Sequence, residues 1–225
     1  MRDLVTLLHL PYTAWHLSYV AIGAALASEL DAARLAWTLA AFLLAVGVAA
    51  HCLDELHGRP LGTTVPRGLL IASAVAGLGA AIAIGLAGVG TLGAPLLALM
   101  LVGVALVLAY NLELFGGALH NDAAFALAWG GFPVLVGGFA QTGSIELAVL
   151  IGAAFATATS LAQRHLSSWA RGLRRRLASV QGTLTWRDGS EQRIDVALLV
   201  APAEAALRLV AAAHVLLAIA LLAAR

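Results

Sequence analysis

Long apolar runs alternate with short polar stretches along the whole chain. We predict seven spans from this pattern: 11–28, 33–53, 68–89, 92–110, 123–141, 145–165 and 204–224. A helix needs about 20 mostly apolar residues to cross roughly 30 Å of hydrocarbon, and most of these runs reach that length. A membrane β-barrel would instead give short alternating segments. The pattern therefore predicts an all-α, polytopic membrane bundle formed by a single membrane domain, residues 1–225.

The composition agrees with a membrane protein and narrows the classes of partner. Of the 225 residues, 61% are hydrophobic and 11% are charged. The formal net charge is only +1, so we expect no nucleic-acid partner. The single cysteine, Cys52, excludes an internal disulfide and a multi-cysteine metal site.

One segment, 171–200, is too polar to cross a membrane. Two alternating stretches, 183–186 and 191–196, flank Asp188-Gly189, which is a hairpin signal. We predict a small cytoplasmic β-hairpin inserted between the sixth and seventh spans. It is either a plain surface excursion or a lid or headgroup contact, with Arg174, Arg175 and Arg176 on anionic lipid.

Arginine placement predicts the orientation of the bundle. Most arginines lie at the N-terminus or in the loops after the second, fourth and sixth spans, whereas the opposite loops hold Arg34. The positive-inside rule places the arginine-rich side in the cytoplasm. We expect an integral protein of a bacterial or archaeal cytoplasmic membrane.

Polar residues that could bind a metal or take part in catalysis lie on that same side, in three groups. The groups are His51, Asp54, Glu55, His57 and Arg59; Tyr110, Asn111, Glu113, His120, Asn121 and Asp122; and Gln163, Arg164 and His165. Ionisable residues at membrane depth are costly and usually face the bundle interior. We therefore predict one site at the cytoplasmic mouth of the bundle.

The first group has the spacing of a metal site. On a continuing helix His51, Asp54 (or Glu55) and His57 would share one face. The candidate metal ligands are His51, Asp54, Glu55, His57, Glu113, His120, Asp122 and His165. The alternatives are structural: a solvated helix end in which Arg59 pairs with a neighbouring carboxylate, an N-cap at Asn121 or Asp122, and His165 at a helix C-terminus.

Several of these residues together resemble the UbiA superfamily of intramembrane prenyltransferases. The shared features are the leucine-rich lead (Leu4, Leu7, Leu8, Leu10) before Pro11, the polar end of the second span before Arg59-Pro60-Leu61, Tyr110, Trp129-Gly130 and Pro133. They cover roughly residues 1–165. The resemblance implies a UbiA-like bundle that binds Mg²⁺ and a prenyl diphosphate and alkylates an acceptor through an allylic carbocation.

The chain departs from the family pattern where the metal would bind. Asp54 falls on the first aspartate of the first motif, but His57 falls on the second. The region matching the second motif, 163–169, has no carboxylate, and the chain has about two spans fewer than usual. Such a mixture of imidazole and carboxylate suits Zn or Fe better than a pair of Mg²⁺ ions.

Three functions follow as expectations. The first is a divergent UbiA-like enzyme acting on a prenyl or other lipid substrate with a divalent metal. In it Arg59 and Arg164 contact the anionic headgroup, and His57 or His120 is a ligand or general base. The second is a His/carboxylate metalloenzyme that transfers no prenyl group. The third is a non-catalytic lipid-binding or partner subunit; the sequence names no protein partner.

Overall fold

The structure is a computed structural model that describes residues 2–225, except the side chains of Arg2, Leu4 and Val5. In chain order the helices are α1 (Arg2–Leu8), α2 (Leu10–Leu26), α3 (Ala32–Leu56), α4 (Arg67–Leu92), α5 (Ala94–Asn111), α6 (Leu114–Gly117), α7 (Asp122–Thr142), α8 (Leu147–Arg176) and α9 (Val196–Ala223). Two short strands, β1 (Thr183–Thr185) and β2 (Glu191–Arg193), lie between α8 and α9. The side chain of Leu4, one of the four leucines before Pro11 noted in the sequence, is not among the described side chains.

Six helices are long and apolar enough to cross a membrane: α3, α4, α5, α7, α8 and α9. The first predicted span corresponds to α2, which has 17 residues and is mostly buried among the other helices. The predicted count of seven is therefore corrected to six helices of spanning length with α2 packed inside them. The helical membrane bundle itself is confirmed, and α7 is its most enclosed long helix.

Glycines set the closest helix contacts. A Cβ at Gly23 of α2 would overlap the carbonyl oxygen of Val134, and a Cβ at Gly137 of α7 would overlap that of Val20. On another side of α7, Gly130 lies against Ser160 of α8. Small residues let membrane helices approach closely. This matters because the hydrophobic effect does not drive helices together within lipid, so close packing must supply the attraction.

Two of the long helices change to π-helical geometry in the middle. These segments are Leu43–Ala50 in α3 and Leu127–Gly131 in α7. They place Val46 and Trp129, both almost fully buried, in the interior of the bundle. Short π-helical insertions are frequent at functional sites because the extra residue redirects side chains.

The predicted hairpin is present. β1 and β2 are antiparallel, with Thr183 opposite Arg193 and Thr185 opposite Glu191. The Asp188 carboxylate accepts hydrogen bonds from the Ser190 N–H and hydroxyl, which shapes the turn. However, α8 continues through the basic run to Arg176, well beyond the predicted end at residue 165. The insert is consequently shorter than predicted and begins after the three arginines.

One end of the bundle, called the closed end below, is sealed by polar contacts between its loops and helix termini. The Glu146 carboxylate accepts from the backbone N–H and the hydroxyl of Ser28, at 2.9 and 2.8 Å. Arg34 donates to the carbonyl of Gln141 at 2.6 Å, and the Gln141 side-chain oxygen accepts from the N–H of Asp31. These bonds tie the start of α3 to the end of α7 and the start of α8.

Candidate functional site

The opposite end of the bundle contains a cavity of about 760 Å³, called the polar cavity below. Each of the three polar groups predicted from the sequence contributes residues to its lining. From those groups the lining residues are His51, Asp54, His57, Tyr110, Asn111, Glu113, His120, Gln163 and Arg164. The ends of α3, α5 and α8 meet here because successive antiparallel helices return to the same end.

Three histidines face this cavity with one ring nitrogen already occupied. The Nδ1 atom of His51 lies 3.1 Å from the carbonyl oxygen of Gly47. The Nδ1 atoms of His57 and His120 lie 3.4 Å from backbone carbonyls in the same way. When Nδ1 donates to a carbonyl, Nε2 keeps a lone pair. Each ring can then accept a proton or bind a metal through Nε2.

The structure separates the two neighbouring carboxylates of α3. Asp54 lines the polar cavity, and its carboxylate makes no hydrogen bond with any described residue. Glu55 is 1% exposed and accepts three hydrogen bonds from the following loop, from the N–H of Leu61 and from the N–H and hydroxyl of Thr63. Glu55 is thus placed away from the cavity as an anchor for the loop, and it does not join the predicted ligand set.

Arg59 is also placed in that loop and not on the cavity wall. Its guanidinium donates to the carbonyls of Thr63 and Val65, at 2.7 and 3.1 Å. It therefore forms neither the predicted headgroup contact nor the alternative pairing with a carboxylate. Its backbone has φ 48°, as does that of Glu113, and His9 has φ 42°. Left-handed conformations of such residues cost energy and cluster at functional sites, and all three lie at this end of the bundle.

The remaining predicted residues divide between the cavity and structural roles. Arg164 lines the cavity and donates to the Asp122 carboxylate at 2.9 Å, so Asp122 is engaged as an ion-pair partner. Asn121, and not Asp122, caps α7 by accepting from the N–H of Ala124. His165 is exposed in the middle of α8 and lies off the cavity wall, so it is at no helix end.

These placements test how well the residues fit a divalent metal. Within the described part of the chain, no group of three or more His, Cys, Asp or Glu side chains is arranged to hold an ion. Of the predicted carboxylates, Glu55 and Asp122 are engaged elsewhere, which leaves Asp54 and Glu113. This donor set does not fit a pair of Mg²⁺ ions, which prefer several carboxylate oxygens. The divalent metal stays a prediction from the sequence.

The structure adds cavity residues that sequence reasoning did not assign to the site. His9 and Tyr12 come from the α1–α2 junction, and burial lowers the pKa of His9 below its ordinary value of 6.5. Four arginines join Arg164 on the wall formed by α8 and α9: Arg171, Arg174, Arg175 and Arg208. A signal existed for the α8 residues, since Gln163, Ser167, Arg171 and Arg175 recur every four positions and so share a helix face.

A second cavity of about 610 Å³, the apolar chamber, adjoins the polar cavity. It lies between α3, α4, α5 and α7, and Arg34 is the one charged side chain among its described lining residues. Val46 and Trp129, from the two π-helical segments, line both cavities and form their common wall. From Val46 to Arg34 the chamber follows α3 for about 18 Å, at 1.5 Å of helix rise per residue.

Comparison of the chain with family models, with curated proteins and with solved structures finds no match. The resemblance to the UbiA superfamily therefore stays a prediction carried by the residues quoted for it.

Proposed function

We propose that the chain is a UbiA-like integral membrane enzyme that acts on a prenyl or other lipid substrate. The observation that carries the proposal is that a polar cavity and an apolar chamber adjoin each other at Val46 and Trp129, which line both. An amphipathic ligand fits such a pair of spaces: its headgroup occupies the polar cavity and its hydrocarbon chain occupies the chamber. Burial of the chain in an apolar space matches its chemistry.

The polar cavity supplies groups for a reaction at the headgroup. His57 and His120 line the cavity, their Nε2 atoms make no hydrogen bond within the described chain, and they are the candidates for a general base. Arg164 is the candidate for contact with an anionic leaving group, although part of its charge is offset by Asp122. In this arrangement the polar cavity holds the reactive headgroup of the substrate, and the apolar chamber holds its unreactive hydrocarbon tail.

The experiment is lipid analysis of the full-length protein purified in mild detergent. We expect mass spectrometry of an extract to find a co-purified lipid with an anionic headgroup. Ala45→Phe places a phenyl ring in the apolar chamber, so the lipid load should fall about tenfold, as overpacking of an enclosed space does. The matched control is Ala36→Phe on the exposed face of the same helix. Equal lipid loads in both variants would contradict the proposal.

Catalysis needs a separate readout, because a lipid-binding subunit would give the same lipid load. Incubation with isotope-labelled farnesyl diphosphate and a membrane-lipid extract should give a labelled lipid and release diphosphate. His57→Ala or His120→Ala should reduce that product without emptying the chamber. A bound lipid that is never converted would leave the non-catalytic subunit as the better description.

A second candidate is the His/carboxylate metalloenzyme, and its support is the hydrogen bonding of His51, His57 and His120 taken one ring at a time, because these side chains do not form a three-ligand cluster in the described part of the chain. Histidines that bind metals almost always donate their other ring nitrogen to a carboxylate or a backbone carbonyl, as these three do. Elemental analysis of the purified protein separates the candidates. Stoichiometric Zn or Fe that is lost in His51→Ala would support the metalloenzyme, whereas metal-free protein would remove it.

A further inference from the structure

On the wall of the polar cavity that α8 and α9 form, the arginines outnumber the carboxylates that pair with them. Five arginines line the cavity: Arg164, Arg171, Arg174, Arg175 and Arg208. Arg164 is paired with Asp122, and Arg174 is paired with Glu204 at 2.6 Å. The other three have no carboxylate partner among the described side chains. This excess charge lies in a partly enclosed space, where it attracts anions strongly.

The arginines are ordered by the geometry of α8. Gln163, Ser167, Arg171 and Arg175 follow each other at intervals of four residues, so they form one ladder from the interior to the mouth of the cavity. The Arg174–Glu204 pair joins α9 to α8 and sets Arg208, one turn further along α9, beside the same space. Arg171 donates to the Ser168 hydroxyl at 3.3 Å and Arg175 donates to the Pro60 carbonyl at 3.0 Å, each through Nη2, so both keep further N–H donors for a ligand. The three guanidinium groups without a carboxylate partner therefore line one cavity.

The interior end of this ladder carries an unsatisfied acceptor. Gln163 is only 8% exposed, lines the polar cavity, and its Oε1 atom has no hydrogen-bond partner in the described structure. A buried acceptor without a partner is costly, and native proteins leave few of them. A ligand that donates a hydrogen bond at this depth would remove that cost.

We infer that the phosphate or diphosphate group of a lipid is held directly by Arg171, Arg175 and Arg208, with no bridging divalent cation, while a P–OH or another hydroxyl of the ligand donates a hydrogen bond to the Gln163 Oε1 atom. Guanidinium groups bind phosphate oxygens through paired, charge-assisted hydrogen bonds. On this wall the one carboxylate is Glu204, which is engaged by Arg174. The inference rests on the proposed function and names its ligand class and its mode of binding.

The experiment is a binding titration with the full-length protein in detergent, using farnesyl diphosphate and inorganic diphosphate as probes. Each titration is run once with excess EDTA and once with excess MgCl₂. We compare the wild type with Arg171→Gln, Arg208→Gln and the control Arg176→Gln, which removes an exposed charge from the same helix off the cavity wall. Arg171 and Arg208 are exposed at the mouth, so thermal unfolding should be unchanged and affinity can be compared directly.

We expect farnesyl diphosphate to bind equally well with EDTA and with MgCl₂. Each cavity variant should weaken binding about tenfold, since a hydrogen bond to a charged group is lost, and Arg176→Gln should not. Binding that needs Mg²⁺, or that is unaffected by both cavity variants, would overturn the inference and leave the proposed function standing. Inorganic diphosphate that binds as tightly as the farnesyl compound would support the arginine site but contradict the lipid substrate. No binding of either probe would overturn both.

Discussion

The two ends of the bundle use similar polar residues in opposite ways. At the closed end, Glu146 and Arg34 bond to Ser28 and Gln141, so their polar groups are consumed in joining helices. At the other end Asp54 and Arg208 line a cavity and make no hydrogen bond within the described chain. Unpaired polar groups are expensive unless a ligand or water satisfies them. The number of internal partners, and not the residue type, therefore separates the end that closes the bundle from the end that contains the polar cavity.

Glu55 is the exception that tests this comparison most strongly, because it lies at the cavity end but is fully engaged. Glu55→Ala should lower the free energy of unfolding by about 3 to 6 kcal/mol, since three loop donors lose their acceptor. Denaturant unfolding of the purified protein measures this change. Glu55→Gln keeps one oxygen acceptor and should cost less. Full stability together with a lost lipid load would instead make Glu55 a ligand-binding residue.

Glu146 provides the corresponding test at the closed end. Glu146→Ala removes two exposed hydrogen bonds from Ser28 and should lower the free energy of unfolding by about 1 to 2 kcal/mol. Lipid load and diphosphate affinity should be unchanged, because the polar cavity lies at the other end. The control is Glu29→Ala, next to Ser28 in the loop between α2 and α3, where the side chain makes no hydrogen bond within the described chain. A change in ligand affinity in Glu146→Ala would mean that the two ends are coupled.

The smallest expected effect is the pH dependence contributed by His9 on the cavity wall. Burial lowers the pKa of His9 below 6.5, so the folded state disfavours its protonated form. Its contribution to stability is present above about pH 6.5, the unfolded value, and is lost as the pH falls below it. His9→Gln should therefore flatten the stability profile between pH 7 and about pH 5. An unchanged slope would show that His9 is solvated in the folded protein.

The sequence predicted where the polar groups gather better than it predicted which of them line the polar cavity. The spans and their order place the ends of α3, α5 and α8 on one side, so the meeting of His51, Tyr110 and Arg164 at one cavity followed from counting apolar runs. The spacing of Asp54 and Glu55 on a helix could not decide between them. Only the loop after α3, which folds back to bond Glu55, made that choice.

Helix ends were harder to predict where polar residues continue a helix. The run Arg174-Arg175-Arg176 reads as a loop by hydropathy, yet α8 carries it as three more helical residues. Arginine is a good helix former, and its charged head lies in water while its apolar stem covers the helix. This extension brings Arg171 and Arg175 onto the cavity wall. The sequence had placed Arg171 in the polar insert and had assigned Arg174, Arg175 and Arg176 to lipid contact, because hydropathy ended the helix before them.

The sequence by itself determined that this chain is a helical membrane bundle with most of its polar groups at one end, because apolar length and charge placement are local properties. The hairpin was determined in the same way by Asp188-Gly189. The tertiary structure alone decided that two π-helical segments set Val46 and Trp129 between a polar cavity and an apolar chamber. It also decided which charges are paired. Both depend on contacts between helices far apart in the chain, and such contacts leave no periodic trace in any one of them.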